Sequence, residues 1–192
     1  MTGVTGDRLV SAARAIVIEQ GSAAVSMRRV AAAVAVTPMA IYRHFANREA
    51  LLDVVADQLF AELAAGWGGR TWSDDLEADI AALLNDHLDF ALRQPRLYAF
   101  LFTEVRANAR RYPDDFTGGG SPTLSVVADL LTEGVQRRVF REHDVWERAL
   151  MIAAVLHGLV QLHHGGRLAL TEPAFKALSG RAVGSVLDGI RA

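Results

Sequence analysis

Apolar residues recur along this chain at three- and four-residue spacing, and no segment shows the alternation of a strand, so the pattern predicts an all-α protein. Leu9, Ala12, Ala13, Ile16 and Val17 define a first helix over about 7–20, which Gly21 ends. Ser26 caps a short second helix over about 27–33, with Met27, Val30 and Ala31 inward and Arg28 and Arg29 outward. Thr37 followed by Pro38 pairs a capping residue with the imino acid favoured at the first helical position, and starts a third short helix. That helix buries Ile41 and Phe45 and turns Met39, Ala40, Tyr42, Arg43 and His44 outward. Asn47 caps a longer fourth helix with Glu49 in its first turn and Leu51, Leu52, Val55, Leu59 and Leu63 on its apolar side.

A break is expected over Gly66-Trp67-Gly68-Gly69 and Thr71-Trp72-Ser73, followed by an amphipathic run from Leu76 to Ala91. Pro95 restarts the chain into a short apolar helix from Leu97 to Val105, and Pro113 through Pro122 reads as an exposed loop. Two helices over about 122–140 and 144–165 follow, and Thr171 caps a last one towards Ile190, giving about nine in all. Two short helices joined by a tight turn after a longer one form a helix-turn-helix, whose later helix fits the roughly 12 Å wide major groove. The division expected is a head over 1–52 and a helical body over 53–192.

Charge sharpens this picture. The 192 residues carry a formal net charge of −2, but the first fifty hold Arg8, Arg14, Arg28, Arg29, Arg43 and Arg48 against Asp7, Glu19 and Glu49, a net of +3. A basic head on an acidic body is the asymmetry expected where one end meets a polyanion. The chain has no Cys, which excludes disulfides, Cys-ligated zinc and thiol nucleophiles. No apolar run reaches the roughly 18 residues of a bilayer span and the N-terminus is unlike a cationic signal peptide, so a cytoplasmic location is expected.

The segments Gln20-Gly21, Ser26-Met27-Arg28-Arg29-Val30-Ala31, Val36-Thr37-Pro38-Met39-Ala40-Ile41-Tyr42-Arg43-His44-Phe45 and Asn47-Arg48-Glu49-Ala50-Leu51-Leu52 together resemble the tetracycline-repressor (TetR) family over about residues 7–55. The resemblance implies a sequence-specific DNA-binding regulator. By position it implies Ser26, Arg28, Thr37, Tyr42, His44 and Arg48 as phosphate contacts, and Met39, Ala40 and Arg43 as readers of bases. Arg29, where the family commonly has an acid, reads first as a solvated charge, and Ala35 stands where the family usually places Gly in the turn.

The resemblance further implies that the body holds a small-molecule pocket and that the last long helices pair two subunits, hence a homodimer on a palindromic operator. The expected role is a repressor that leaves DNA when a small molecule fills its C-terminal domain. Candidates for the effector site are Trp67, His87, Phe90, Tyr98, Leu101, Phe102, Glu104, Met151 and Val155, a set that favours an apolar ligand. Leu124, Val127, Leu131 and Val135 on one helix, with Leu150, Ala153, Ala154, His157, Gly158 and Gln161 on the next, offer faces for the dimer or for the chain's own core.

No metal is expected, because His157, His163 and His164 lack a carboxylate at ligand spacing. No cofactor is implied. An enzyme is not expected either: there is no glycine-rich phosphate loop or nucleophile elbow, and Asp74-Asp75 and Asp114-Asp115 read as solvated caps or turns. The alternative is a helical small-molecule-binding protein or enzyme with an incidental N-terminal hairpin.

Overall fold

The computed structural model describes residues 2–68, 71–116 and 120–192. Among them lie nine α-helices: α1 Thr2–Gln20, α2 Met27–Ala33, α3 Pro38–Ile41, α4 Arg48–Gly68, α5 Leu76–Arg93, α6 Pro95–Phe102, α7 Pro122–Gln136, α8 Val145–His164 and α9 Glu172–Asp188. A 3-10 turn, Ser22–Ala24, separates α1 from α2, and the described residues include no strand beyond an isolated bridge between Phe140 and Arg191. The all-helical class is as the periodicity implies.

Most helix starts follow from local capping chemistry. Ser26 accepts from the Arg29 amide at 3.3 Å, Thr37 from Ala40 at 3.3 Å with Pro38 at the first helical position, Asn47 from Ala50 at 2.8 Å, and Thr171 from Ala174 at 3.4 Å. Gly21, just past α1, has φ of 85°, a value that favours glycine.

The chain divides into two compact units, Met1–Glu62 with Gln94–Ala109, and Leu63–Arg93 with Arg110–Ala192. In the first unit α1 packs on α2 and α6, and Leu9, Val17, Val30, Ile41, Leu51 and Val55 are essentially inaccessible. In the second, α7 packs on α8, α8 on α9, and α5 on both α7 and α9 around Leu88, Leu131, Val160 and Phe175. Gly134 is required there: a Cβ would lie 2.3 Å from the Phe140 ring and 3.0 Å from Leu76. Lys176 of α9 pairs with Asp89 of α5 at 2.5 Å and with Glu172 at 2.7 Å. That geometry raises the lysine pKa and lowers that of Asp89, in each case chiefly through the hydrogen bond between them.

Several boundaries differ from the sequence expectation. The break expected at Gly66 does not occur, because α4 runs through Gly66 and Trp67 to Gly68, with Trp67 buried; Gly69 lies outside the described residues. The loop over Pro113–Pro122 includes residues 117–119, also outside them. α6 ends at Phe102 rather than near Val105, since the Ala99 carbonyl receives the amides of both Thr103 and Glu104, at 2.9 and 2.8 Å, and leaves Val105 fully exposed. α7 stops at Gln136, where Arg138 takes φ of 60° and the Val139 amide turns back to the Gly134 carbonyl at 2.9 Å. α8 has the length and composition of a membrane span, which the sequence reading did not anticipate, but its buried residues Ala149, Ile152, Leu156 and Val160 recur as on a helix packed along one side.

Candidate nucleic-acid interface and effector residues

The first unit builds a helix-turn-helix from α2 and α3. Between them the Ala35 amide reaches the Ala32 carbonyl at 3.1 Å and the Val36 amide the Ala31 carbonyl at 3.0 Å. Ala35 accepts φ of 58°, the left-handed conformation, so the turn keeps its geometry without glycine and carries the strain. Arg8 of α1 donates to the Val34 carbonyl at 3.1 Å and ties the turn to the supporting helix.

α3 is a single turn, Pro38–Ile41, closed by the His44 and Phe45 amides on the Ile41 carbonyl at 2.9 and 3.0 Å. Ile41 is fully buried; Phe45, expected beside it on the inward face, lies past the helix end and is half-buried. Outward, Met39 is 72% and Tyr42 52% exposed, Arg43 is exposed, and Ala40 is half-buried. His44 is half-buried, with its Nδ1 3.5 Å from where a Cβ on Gly6 would stand. The guanidiniums of Arg28 and Arg43 make no hydrogen bond or ion pair to the described residues, and both side chains are exposed. Ser26 and Thr37 are exposed too, each spending its oxygen as an N-cap acceptor while its hydroxyl hydrogen stays available.

Arg48 differs from the other residues of this set. Its Nε donates to the Val25 carbonyl at 2.9 Å, Nη2 to the Ser22 carbonyl at 2.7 Å, and Nη1 lies 3.3 Å from Glu49. Arg29, read as a solvated charge, instead donates to Gln20 at 2.8 Å and to the Ala24 carbonyl at 3.3 Å.

The expected effector residues fall into both units. In the second, the Trp67 ring stands 5.4 Å from His87 and 6.4 Å from Phe90, and His87 stands 5.5 Å from His157. Burial lowers the His87 pKa to about 3, helped by the neighbouring His157, and burial lowers His157 to about 4; both imidazoles are neutral near pH 7. His157, offered from sequence for the dimer face or for the chain's own core, is half-buried and faces His87. In the first unit Tyr98 and Phe102 rings are 5.1 Å apart, Phe102 meets Phe60 edge-on at 5.4 Å, and Arg106 lies over Phe60 and Phe100 at 5.9 and 5.5 Å. Burial raises the Tyr98 pKa above its ordinary value. Phe60 and Arg106 belong to this cluster and escaped the sequence reading, since neither stands out by spacing.

Leu101 is buried and Val155 half-buried. Two candidates lie elsewhere: Met151 is 44% exposed on the outer side of α8, and Glu104 is exposed and accepts a hydrogen bond from Ser22. Leu124 and Leu131, named for the dimer, are buried in the second unit's own core, and Leu150 is half-buried. Gln161 is exposed and continues an outer α8 stripe of Met151, Ala154 and Gly158 at three- and four-residue spacing.

Comparison with known proteins agrees with this architecture. Residues 9–55 match the family described as bacterial regulatory proteins, tetR family, and residues 80–185 match the tetracyclin repressor-like C-terminal domain. Among solved structures, one of a protein of unknown function from Rhodococcus sp. RHA1 is 23% identical with a TM-score of 0.76, covering 97% of this chain and 95% of that one. A TetR-family transcriptional regulator from Pectobacterium atrosepticum is 21% identical with a TM-score of 0.73, covering 100% and 96%. The fatty acid degradation regulator FadR from Bacillus halodurans is 19% identical with a TM-score of 0.64, covering 96% and 95%. No curated relative matches the chain. With both the helix-turn-helix and the C-terminal domain matched over most of its length, the chain belongs to the tetR family of transcriptional regulators.

Proposed function

We propose that the protein is a repressor that binds a palindromic operator as a homodimer and is released by a small-molecule effector held in its C-terminal domain. The observation that carries the DNA half is the outer surface of α3, where Met39, Tyr42 and Arg43 project from a capped turn and the Arg43 guanidinium is uncommitted within the described residues. Ala40 and Met39 allow the backbone to approach base edges, Arg43 reads a guanine, and Ser26, Arg28, Thr37, Tyr42 and His44 set register on phosphates.

The dimer half rests on α8. Its outer stripe is Met151, Ala154, Gly158 and Gln161, and nothing lies within 4 Å of where Cβ atoms on Gly158 or on Gly184 of α9 would stand. Glycine inside a helix costs roughly 1 kcal/mol against alanine; close approach by a second copy explains its retention at an open position.

For the effector, the neutral imidazoles beside Trp67 and Phe90 favour an uncharged, largely apolar molecule. Release requires only that effector bind the DNA-incompetent state more tightly, and couplings of about 1–3 kcal/mol change operator affinity roughly 5–150-fold. This role requires no catalytic step, metal or cofactor. The test is selection of bound duplexes from a random library at fixed salt. A palindrome supports the reading, and no enrichment even after denaturation, extraction and refolding overturns it.

A further inference from the structure

The end of α1 and the 3-10 turn form a crossroads within the first unit. The Glu19 carbonyl receives Arg96 of α6 at 2.5 Å, the Ala24 carbonyl receives Arg29 of α2 at 3.3 Å, and the Ser22 and Val25 carbonyls receive Arg48 of α4 at 2.7 and 2.9 Å. Carbonyls near a helix end lack partners within the helix, so three helices are joined through one short stretch of backbone. The Ser22 hydroxyl, buried, donates to the Glu104 carboxylate. Glu104 is fixed at its root, because its own amide and that of Thr103 share the Ala99 carbonyl. A second tie follows it: Asn108 donates to Asp53 of α4 at 2.6 Å, with Arg106 3.9 Å from the same carboxylate.

Val25 leads directly into Ser26, the cap of α2. Whatever holds Ser22 and Val25 therefore sets where α2 begins, and through the turn at Ala35 where α3 points. We infer that Arg48 and Glu104 are positioning residues of the DNA-binding unit: a clasp on Ser22 and Val25 that orients α2 and α3, acting on operator through the head and not by touching phosphate. This rests on the DNA-binding reading above and reassigns Arg48 within it, since each of its guanidinium nitrogens faces a protein oxygen while Arg28 and Arg43 stay uncommitted among the described residues.

The test uses the full chain, its selected operator and a scrambled duplex, titrated over a salt series. Replacing Arg48→Ala or Glu104→Ala is expected to weaken operator binding about tenfold, the scale of a hydrogen bond to a charged group. The slope of log K against log salt and the affinity for scrambled duplex are expected to stay those of the parent. Arg28→Ala, by contrast, removes one cation from each head of the dimer, lowers the slope by about 2 and weakens both duplexes alike. Glu104→Gln, which keeps an acceptor oxygen, restores most operator affinity. Arg14→Ala, which breaks the 2.5 Å ion pair with Glu62 in the same unit, controls for general loosening and leaves the operator-to-scrambled ratio unchanged.

A slope reduced by about 2 in Arg48→Ala, with equal loss on both duplexes, makes Arg48 a phosphate ligand and overturns the proposal. So does operator affinity unchanged in Glu104→Ala, or a loss in Arg14→Ala equal to the others. Where Arg48→Ala does not fold, the Ser22→Ala and Glu104→Ala pair carries the test: non-additive effects on operator affinity support the clasp and additive ones refute it. A parent protein with no preference for any duplex refutes the DNA-binding reading itself, a different result from any of these.

Discussion

Lowering the pH from about 8 to about 5 should unfold the second unit far more readily than its carboxylates alone dictate. His87 and His157 face each other at 5.5 Å, and burial holds their pKa values near 3 and 4. In the unfolded chain both return to about 6.5 and bind protons that the folded state refuses. Unfolding then takes up protons between the two sets of values, so stability is greatest above about pH 6.5 and declines as pH falls towards 4. At about pH 5 the unfolded histidine lies 1.5 units below its pKa, which amounts to about 2 kcal/mol for each group. The figure is insensitive to the folded values so long as both stay well under 5. Together they remove about 4 kcal/mol, a large part of the 5–15 kcal/mol typical of a domain.

The assay is urea unfolding across that range, followed by fluorescence of Trp67, whose ring stands 5.4 Å from His87, with Trp72 and Trp146 replaced by Phe. Replacing His157→Gln should halve the pH dependence whatever it does to absolute stability, and adding His87→Gln should remove most of the remainder. His164, whose pKa burial also lowers, accounts for part of what persists. A parent protein whose stability differs by less than about 1 kcal/mol between the two conditions refutes the reasoning, as does a double variant that keeps the full dependence.

Three substitutions probe other positions. Ala35→Gly relieves φ of 58° in the helix-turn-helix and should stabilise the first unit by about 1 kcal/mol, read as a raised thermal midpoint. Gly134→Ala drives a Cβ to within 2.3 Å of Phe140 and should cost about 1–3 kcal/mol in urea unfolding. Gly158→Leu meets nothing within 4 Å in the monomer, so it should leave secondary structure intact while splitting the dimer in sedimentation; a dimer that survives it places the interface elsewhere.

What the sequence makes legible here is whatever is decided within a few residues. Ser26, Thr37 with Pro38, Asn47 and Thr171 mark helix starts because a cap bonds an amide two or three positions on, and the structure shows each of those bonds. The inward face of α2 follows equally from spacing. Who covers a face does not. Leu124, Leu131 and His157 stood on apolar sides that suited a partner subunit or the chain's own core, and only three-dimensional packing assigns the two leucines to the core and turns His157 towards His87. Arg48 is a related case. Its position in the first turn of α4 resembles a phosphate contact, but its partners are carbonyls 23 and 26 residues back, set by how α1 ends. Gly66 misled in the other direction, because a local glycine signal yielded to the helix on either side, where Trp67 is buried.

The charge count of the head changes meaning in the same way. Of the six arginines in the first fifty residues, Arg8 holds Val34, Arg14 pairs with Glu62, Arg29 holds Gln20 and Ala24, and Arg48 holds Ser22 and Val25. Only Arg28 and Arg43 have no such partner among the described residues. A head with a net charge of +3 therefore presents two uncommitted guanidiniums, and a dimer presents four. Each displaced counterion contributes roughly 0.9 to the slope of log K against log salt, so operator binding by the dimer should show a slope of about −4. The neutral contacts from Ser26, Thr37 and Tyr42 add affinity without adding to it. A titration giving a slope steeper than about −7 would mean that internally held arginines leave their carbonyls for phosphates on binding, and the head would then have to reorganise as it docks.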